Sequence, residues 1–582
     1  MNTIKFFRKG FYLFTFLFTV SLFAQKVVPH YITQDEKDQL STYNFSRSIV
    51  TDPPVGEVRT MAEWEEVEYL VITWVPSFPN ILRQIVEAAI EECKVIITTE
   101  NEPSVSNYLS SNGVDLTNVI FMDEDWNSIW IRDYAGNTIY SDDVGERALV
   151  DWIYNRPRPN DDVMPSAHAG LLDIPIYVTN SGTNDLVNTG GNFMSDGLGN
   201  GFASELVLNE NAIGNPFGVT PKTEEEVDAI MQTYMGINNY IKMTPLPYDV
   251  INHIDMHMKL LDEETLLISE YPEGVADGPQ IEENIDYILN NFLSPFGTPY
   301  EIIRIPAPPS SSGLYPDQGG YYRNYTNAIF INKTILIPLY RPEVDIPALA
   351  QWEEMMPGYN IVGIDVDNFG ENLISQVGAI HCITHTIGVS DPLWIVHQPI
   401  AEAAPSETLE VDAMIKHNSG ISSASVFWRT EGSTDYTEIP MSLVSEDIWT
   451  TNLSIPDSDD EIEYYISSTA TSGKSINRPL VAPEGYWKIN VDGVFSTETF
   501  TSNNIVGPYP NPTHDKVTFK LPRTQSINNV SIYNILGQKV QNIDVQKDIS
   551  ILELSLENFE PGLYIIHLNA SEWSIAKKVI KK

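Results

Sequence analysis

The chain has 582 residues, 42% of them hydrophobic, with 11 Trp, 28 Tyr and 22 Phe, which fits roughly three or four packed domains and excludes a disordered chain. Its formal net charge of -45 at pH 7 opposes nucleic acid and anionic membrane and draws cations such as an arginine side chain, although acidity also serves simply to hydrate a surface. Neither the spacing of a structural zinc site nor an EF-hand loop is present, so no metal or cofactor is expected.

Lys5, Arg8 and Lys9, the apolar stretch Phe11 to Phe23 and the small Ala24 read as an export signal over residues 1–24. That stretch is too short for a comfortable membrane span and no later run of ~18 apolar residues follows, so the mature chain is expected to begin near Gln25 without a transmembrane segment. Residues 25–60 are polar and Pro-containing, a leader or wrap-around segment. From Met61 the pattern tightens. Val67 to Trp74 is a predicted strand, Pro79 to Cys93 a helix with Pro near its first turn, Lys94 to Thr99 a strand, Glu102 to Ser111 a helix and Asn118 to Met122 a strand. This alternation continues to about residue 395 and predicts an α/β domain over residues 61–398.

After His397-Gln398-Pro399 no helical period remains. Residues 399–493 carry short alternating runs at Leu409 to Ile415, Ser425 to Arg429, Trp449 to Ile455, Glu463 to Ser468 and Tyr486 to Val491, which predicts an immunoglobulin-like β-sandwich without an internal Cys pair. Residues 494–507 read as a linker. The segment 508–582 is close to neutral and reads as a small all-β unit.

Cys93 and Cys382 are the only cysteines. Export makes them a candidate disulfide, whereas a nucleophile has to stay free. Cys382 sits in the apolar run Gly378 to Thr384, where it is either an attacking thiol or a small buried hydrophobe in a strand. Asn252-His253-Ile254-Asp255 places His253 and Asp255 at i and i+2, on one face if extended; the pair suits acid/base work or a structural hydrogen bond. Trp130-Ile131-Arg132-Asp133 sets an aromatic three residues from a carboxylate that either serves the site or pairs with a neighbouring charge. Arg156-Pro157-Arg158 is a stiff loop presenting two guanidiniums, at a site or at the surface.

Taken together, Met61-Ala62-Glu63-Trp64-Glu65, Trp130-Ile131-Arg132-Asp133, Gly190-Gly191-Asn192, His253-Ile254-Asp255, Asn327 and His381-Cys382 stand in the order that resembles the guanidine-modifying superfamily, in the agmatine deiminase-like branch that includes bacterial peptidylarginine deiminases. The resemblance implies an α/β propeller of five pseudo-symmetric units with the site at its centre. It also implies roles: Asp133 and Asp255 clasp a guanidinium, Cys382 attacks its carbon, His253 protonates the leaving ammonia and then activates water, Asn327 orients the thiol or intermediate, and Trp130 packs along the methylenes. Arg156 and Arg158 would receive the carboxylate of a C-terminal arginine, a group agmatine lacks. Tyr509-Pro510-Asn511-Pro512, Tyr533 to Gln538 and Gly562-Leu563-Tyr564 resemble the sorting domain of the type IX secretion route, which implies that machinery as a partner and a secreted or outer-surface location reached through the periplasm of a Gram-negative bacterium.

The expectation is therefore a peptidylarginine deiminase acting on peptide or protein arginine, C-terminal arginine preferred, without calcium. An agmatine or free-arginine deiminase is the nearest alternative. A papain-like protease lacks its cysteine motif here, and a non-catalytic adhesin leaves the catalytic set unexplained.

Overall fold

The computed structural model describes residues 27–45, 50–180, 182–458, 460–491, 506–509, 513, 516–534, 538–570 and 574–582. The expected export signal and nearly all of the expected linker lie outside the described residues.

Residues 58–388 form a mixed α/β region containing five separate sheets. Each sheet repeats one unit: an antiparallel strand pair, a helix, and a strand returning parallel to the second of the pair. The units are Asn137–Ser141, Arg147–Asp151 and Ile176–Val178; Met194–Ser195, Asn200–Ser204 and Asn239–Met243; Met258–Leu260, Thr265–Glu270 and Glu301–Pro306; Ile329–Ile331, Thr334–Leu339 and Asn360–Asp365; and His385–Gly388, Val67–Thr73 and Lys94–Thr98. The last unit is assembled from both ends of the region, because His385–Gly388 pairs with Val67–Thr73. Val58–Thr60 and Val119–Met122 extend the first and last sheets.

The helices follow from the sequence. Pro79–Ala89 starts with Pro in its first turn and buries Ile81, Leu82, Ile85, Val86 and Ala89 along one stripe. Glu224–Met235 opens on a Thr223/Glu226 capping box and ends at Gly236 in the left-handed region. The predicted strands and the helix Glu102–Ser111 are found within a residue or two, but the helix predicted to reach Cys93 stops at Ala89. Cys93 lies beyond it, packed beside Met61, Val67 and Tyr140, and both cysteines are free thiols.

Residues 393–491 supply two sheets. One holds Trp394–Val396, Thr408–Lys416, Ile448–Ser454 and Ser442–Ser445, and the other is built around Ile421–Thr430 and Ile462–Ala470. Val411, Ala413 and Leu453 of the first and Val426, Tyr464 and Ile466 of the second share one hydrophobic cluster, so the sheets pack face to face. Residues 506–581 contain a further five-stranded antiparallel sheet. Among the described residues, no helix is long and apolar enough to cross a membrane.

Candidate active site

The site residues come from the short segments that lead into the first strand of each repeated unit. Asp133 is in the turn of helix Ile131–Tyr134, Asn192 ends the turn Gly190–Asn192, Asp255 is in Ile254–Met256, Asn327 precedes Ile329–Ile331, and Cys382 is in His381–Ile383. These turns pack on one another. Gly191 is required there: a Cβ on it would lie 2.5 Å from His253 Nδ1 and 3.0 Å from Asp133 Oδ1.

Two local expectations are corrected. Cys382 is not in a strand but in a one-turn 3-10 helix. His253 and Asp255 do not share a strand face; they flank the start of a 3-10 turn, because Asn252 takes φ 60° and the Asp249 carboxylate caps the N–H groups of Ile251 and His253. Their side chains accordingly meet different partners.

Cys382 Sγ is fully buried, 3.2 Å from Nδ2 of Asn327 and 3.5 Å from Oδ2 of Asp255. Asn327 also donates to the Asp255 carbonyl at 3.1 Å and accepts the His381 N–H at 3.0 Å. Burial, with the Asp255 charge beside it, pushes the Cys382 thiol well above its ordinary value. The resting sulfur is a thiol, and a cation placed beside it is what would favour the thiolate.

Asp255 is held by His381, whose Nδ1 lies 2.8 Å from its Oδ2 while Nε2 lies 2.7 Å from Glu63 Oε1. With a carboxylate at each nitrogen, only the doubly protonated ring donates both bonds. Glu63 in turn pairs with Lys259 and Arg132. Burial pushes Glu63 up, but the charges of Lys259, His381 and Arg132 outweigh it and hold the carboxyl well below its usual range. Asp255 is likewise lowered against burial by its bond to His381. In the sequence Glu63 and His381 stand only as members of motifs; the signal that could single them out is a polar residue within an otherwise apolar run.

Asp133 and His253 form the opposite wall. His253 Nδ1 is 3.5 Å from Asp133 Oδ1, and Nε2 is 3.0 Å from the Thr189 hydroxyl. Burial lowers His253 to about 4, despite the favourable Asp133 charge, so its ring is neutral near pH 7. Asp133 stays ionised: against its burial, the neighbouring His30 with its hydrogen bond, and the Arg156 charge, hold the carboxyl below its usual range. Asp133 Oδ1, Asp255 Oδ1 and His253 Nδ1 are among the buried polar atoms that make no hydrogen bond.

The remaining space is filled by the leader. The His30 ring stacks on Trp130, with centroids 4.2 Å apart and planes 9° from parallel, and its Nε2 lies 2.8 Å from Asp133 Oδ2. Trp130 Nε1 donates to the Val28 carbonyl. Arg156 and Arg158 are buried rather than exposed: Arg156 reaches the His30 carbonyl at 3.4 Å, and Arg158 reaches the Pro29 carbonyl at 2.8 Å and Glu36 Oε1 at 2.7 Å. His30 is a site residue that sequence reasoning missed, since a lone histidine in a polar leader carries no pattern. His30, Asp133 and His253 bring three possible ligand atoms within 4.8 Å of one another, the one arrangement among the described residues with metal-like spacing.

Residues 59–387 match the family model described as Porphyromonas-type peptidyl-arginine deiminase, and residues 508–582 match the secretion system C-terminal sorting domain. A protein named as an agmatine deiminase from Vibrio parahaemolyticus is 22% identical over 291 residues, 45% of this chain and 76% of its own. One from Shewanella baltica is 24% identical over 299 residues, 47% and 76%. Similar solved structures include the C. jejuni agmatine deiminase (20% identity, TM-score 0.46, 57% of this chain and 96% of that one) and an arginine deiminase, so titled, from Porphyromonas gingivalis (18%, 0.49, 57% and 98%). The sorting domain marks the chain for secretion or display at the outer surface of a Gram-negative cell by the type IX route.

Proposed function

The chain belongs to the Porphyromonas-type peptidyl-arginine deiminase family, enzymes that act on amidine C–N bonds, and we propose that it converts peptide or protein arginine, C-terminal arginine preferred, to citrulline and ammonia. The observation that carries this reading is the pair of buried carboxylates, Asp133 and Asp255, each with an oxygen that makes no hydrogen bond, beside a thiol fixed by Asn327. A planar cation with N–H donors on both edges is what such a pair fits. We further read the five repeated sheets as blades of a propeller around this site, and residues 393–491 as the immunoglobulin-like domain.

In the proposed reaction the guanidinium enters between the carboxylates and its charge favours the thiolate. The Cys382 proton passes to neutral His253, whose imidazolium is stabilised by Asp133. Sulfur attacks the guanidinium carbon, the C–N bond to one terminal nitrogen breaks, and His253 gives that nitrogen the proton with which it leaves as ammonia. This leaves an amidino-thioether. His253, neutral again, takes a proton from water as the oxygen attacks the same carbon; the C–S bond then breaks, the thiol is reprotonated, and citrulline departs. Trp130 would hold the methylenes, and Arg156 with Arg158 the substrate carboxylate.

The nearest alternative is deimination of agmatine or free arginine, supported by the names of the relatives. The two buried guanidiniums of Arg156 and Arg158, which now bind the leader, favour a substrate with a carboxylate, which agmatine lacks. Citrulline or carbamoyl product should be measured from a short peptide ending in arginine, its C-terminal amide, free arginine and agmatine, with wild type and with His30→Ala, because His30 fills the site. Conversion of agmatine ahead of the peptide by both proteins would replace the proposed reading with the alternative.

A further inference from the structure

We propose that residues 27–45 are a built-in pseudosubstrate that keeps the exported chain latent until the segment is displaced or removed. The inference rests on the reading of the site as a guanidinium pocket, and it concerns what fills that pocket in the intact chain.

His30 copies the head group. Its Nε2 faces Asp133 at 2.8 Å and its Nδ1 faces the Val377 carbonyl at 2.7 Å. Both are acceptors, so both bonds are made only by the imidazolium, a flat cation with N–H donors on two edges. That cation stacks on Trp130, stands edge-on to His253 with centroids 5.2 Å apart, and is completely buried. A guanidinium and this ring therefore compete for the same carboxylate and the same aromatic face.

Glu36 copies the anionic end. Its Oε1 takes the Arg158 Nε–H at 2.7 Å. Its Oε2 accepts from the Thr33 backbone at 2.7 Å and the Thr33 hydroxyl at 2.9 Å, closing a capping box on helix Gln34–Leu40. The carboxylate is thus held rigidly by its own helix against the arginine proposed to read the substrate's carboxylate.

Between and beyond these ends the segment is fastened along its length. The Pro29 and His30 carbonyls each accept a hydrogen bond, from Arg158 and Arg156 respectively, and the His30 N–H donates to the Gln376 carbonyl at 2.9 Å. Leu40 and Phe45 bury themselves among Ile153, Val187, Phe217 and Val219, with Phe45 edge-on to Phe217. Apolar packing of this kind accounts for retention, and the polar contacts for register. Two open clefts, lined by Tyr271, Pro309 and Tyr315 and by Arg59, Gly197 and Met414, include none of the catalytic residues.

The test is access to Cys382 in the full chain. Alkylation by 2-chloroacetamidine, a cationic amidine, is followed by mass spectrometry beside citrulline release from an arginine peptide, for wild type and His30→Ala. The expected result is alkylation of Cys382 at least ~10-fold faster in His30→Ala, with citrulline release rising in parallel, because a competing charge-assisted bond worth ~1.5–3 kcal/mol is gone. Equal alkylation and equal citrulline release in the two proteins would overturn latency. Faster alkylation without citrulline from any substrate would uphold latency and refute the deimination reading instead. Should His30→Ala fail to fold, Glu36→Gln, which keeps an oxygen for the Thr33 cap, is compared in its place, and an unchanged alkylation rate there overturns the proposal equally.

Discussion

Asn327 holds Cys382 from two directions: its Nδ2 lies 3.2 Å from the sulfur, and its Oδ1 accepts the N–H of the preceding residue, His381, at 3.0 Å. The third bond, to the Asp255 carbonyl at 3.1 Å, ties nucleophile and carboxylate to one amide. Asn327→Ala removes all of these from a fully buried position. The expected result is a loss of roughly 10²-fold in kcat with a smaller change in KM, since misplacement of reacting atoms acts on the chemical step. A destabilisation of about 1–3 kcal/mol should accompany it, because the Asp255 carbonyl and the His381 N–H lose a buried side-chain partner. Steady-state kinetics on His30→Ala and on the double variant, with urea unfolding of both, separate the two effects.

The two thiols should behave oppositely. Cys382→Ala is expected to abolish turnover and leave a folded protein, as only one sulfur is lost and no other group replaces the nucleophile. Cys93→Ser should retain turnover. Cys93 packs beside Met61, Val67 and Tyr140, and burial pushes its thiol up to about 12, which removes it from nucleophilic chemistry near neutral pH. Citrulline formation by each variant, normalised to folded protein by circular dichroism, checks this; turnover by Cys382→Ala would dismiss the assignment.

Histidines buried neutral should lose their contribution to stability as acid charges them. His168, His253 and His257 are each lowered to about 4 by burial, and neither nitrogen of His168 or His257 makes a hydrogen bond. In the unfolded chain such groups take up protons near 6.5, so the stability they lend is complete above that pH and is lost as pH falls toward 4. Below that, protonation of Asp133, Asp255 and Glu63, all depressed in the folded state, removes more. Burial raises Asp161 to about 6 and Asp196, Glu210 and Asp249 to about 7, which opposes the histidine effect over the same range, so the histidine contribution is read as a difference. The urea midpoint of His168→Leu should gain on that of wild type as pH falls from 7 to 4.5, and an unchanged difference would show that His168 is solvated.

Much of the site was legible before the fold. Cys382, Asp255, Asn327, His253 and Asp133 do meet, because each was carried by a motif whose order survives in the chain. The five repeated units were not legible: their strands differ in length and share a connection rather than residues, as in Arg147–Asp151 returning through Ile176–Val178 and Thr334–Leu339 through Asn360–Asp365. Alternation within each unit predicted strands and helices but not which strands would pair. Nor could periodicity locate His30, whose place depends on contacts with Asp133 and Val377, 103 and 347 residues away. The Arg156–Arg158 loop reads equally as part of a site or as surface in sequence, and in the structure both guanidiniums are buried against the leader.

The β-sandwich is expected to steady the α/β region without joining the chemistry. Arg478 reaches across to Glu263 at 2.9 Å, and Lys474 to Glu66 at 2.7 Å. Arg478→Ala leaves the buried Glu263 charge unpaired, at a cost of about 3–5 kcal/mol. A chain ending at residue 491 keeps both pairs and should deiminate as fast as the full chain. Thermal unfolding of the point variant and citrulline rates of the shortened chain check the two halves; a folded but inactive shortened chain would place the sorting domain in the reaction.

The proposed reading puts substrate choice at Arg156 and Arg158, where the leader also binds. Removing Arg158 frees Glu36 and Pro29 from their partner, so the site should open and every substrate should gain. The same change removes a donor for the substrate carboxylate, and only a peptide with a free C-terminal arginine should lose by it. The ratio of kcat/KM for the free-acid peptide over its amide cancels the common gain. One charge-assisted hydrogen bond is worth ~1.5–3 kcal/mol, so Arg158→Ala should lower that ratio by roughly 10- to 100-fold. Arg156→Ala should lower it too, and should also cost the amide some rate, because the Arg156 charge helps to keep Asp133 ionised. Both ratios are measured at one salt concentration, since screening weakens the contribution. An unchanged ratio in both variants would make the two arginines anchors of the leader alone and would favour the agmatine-type substrate.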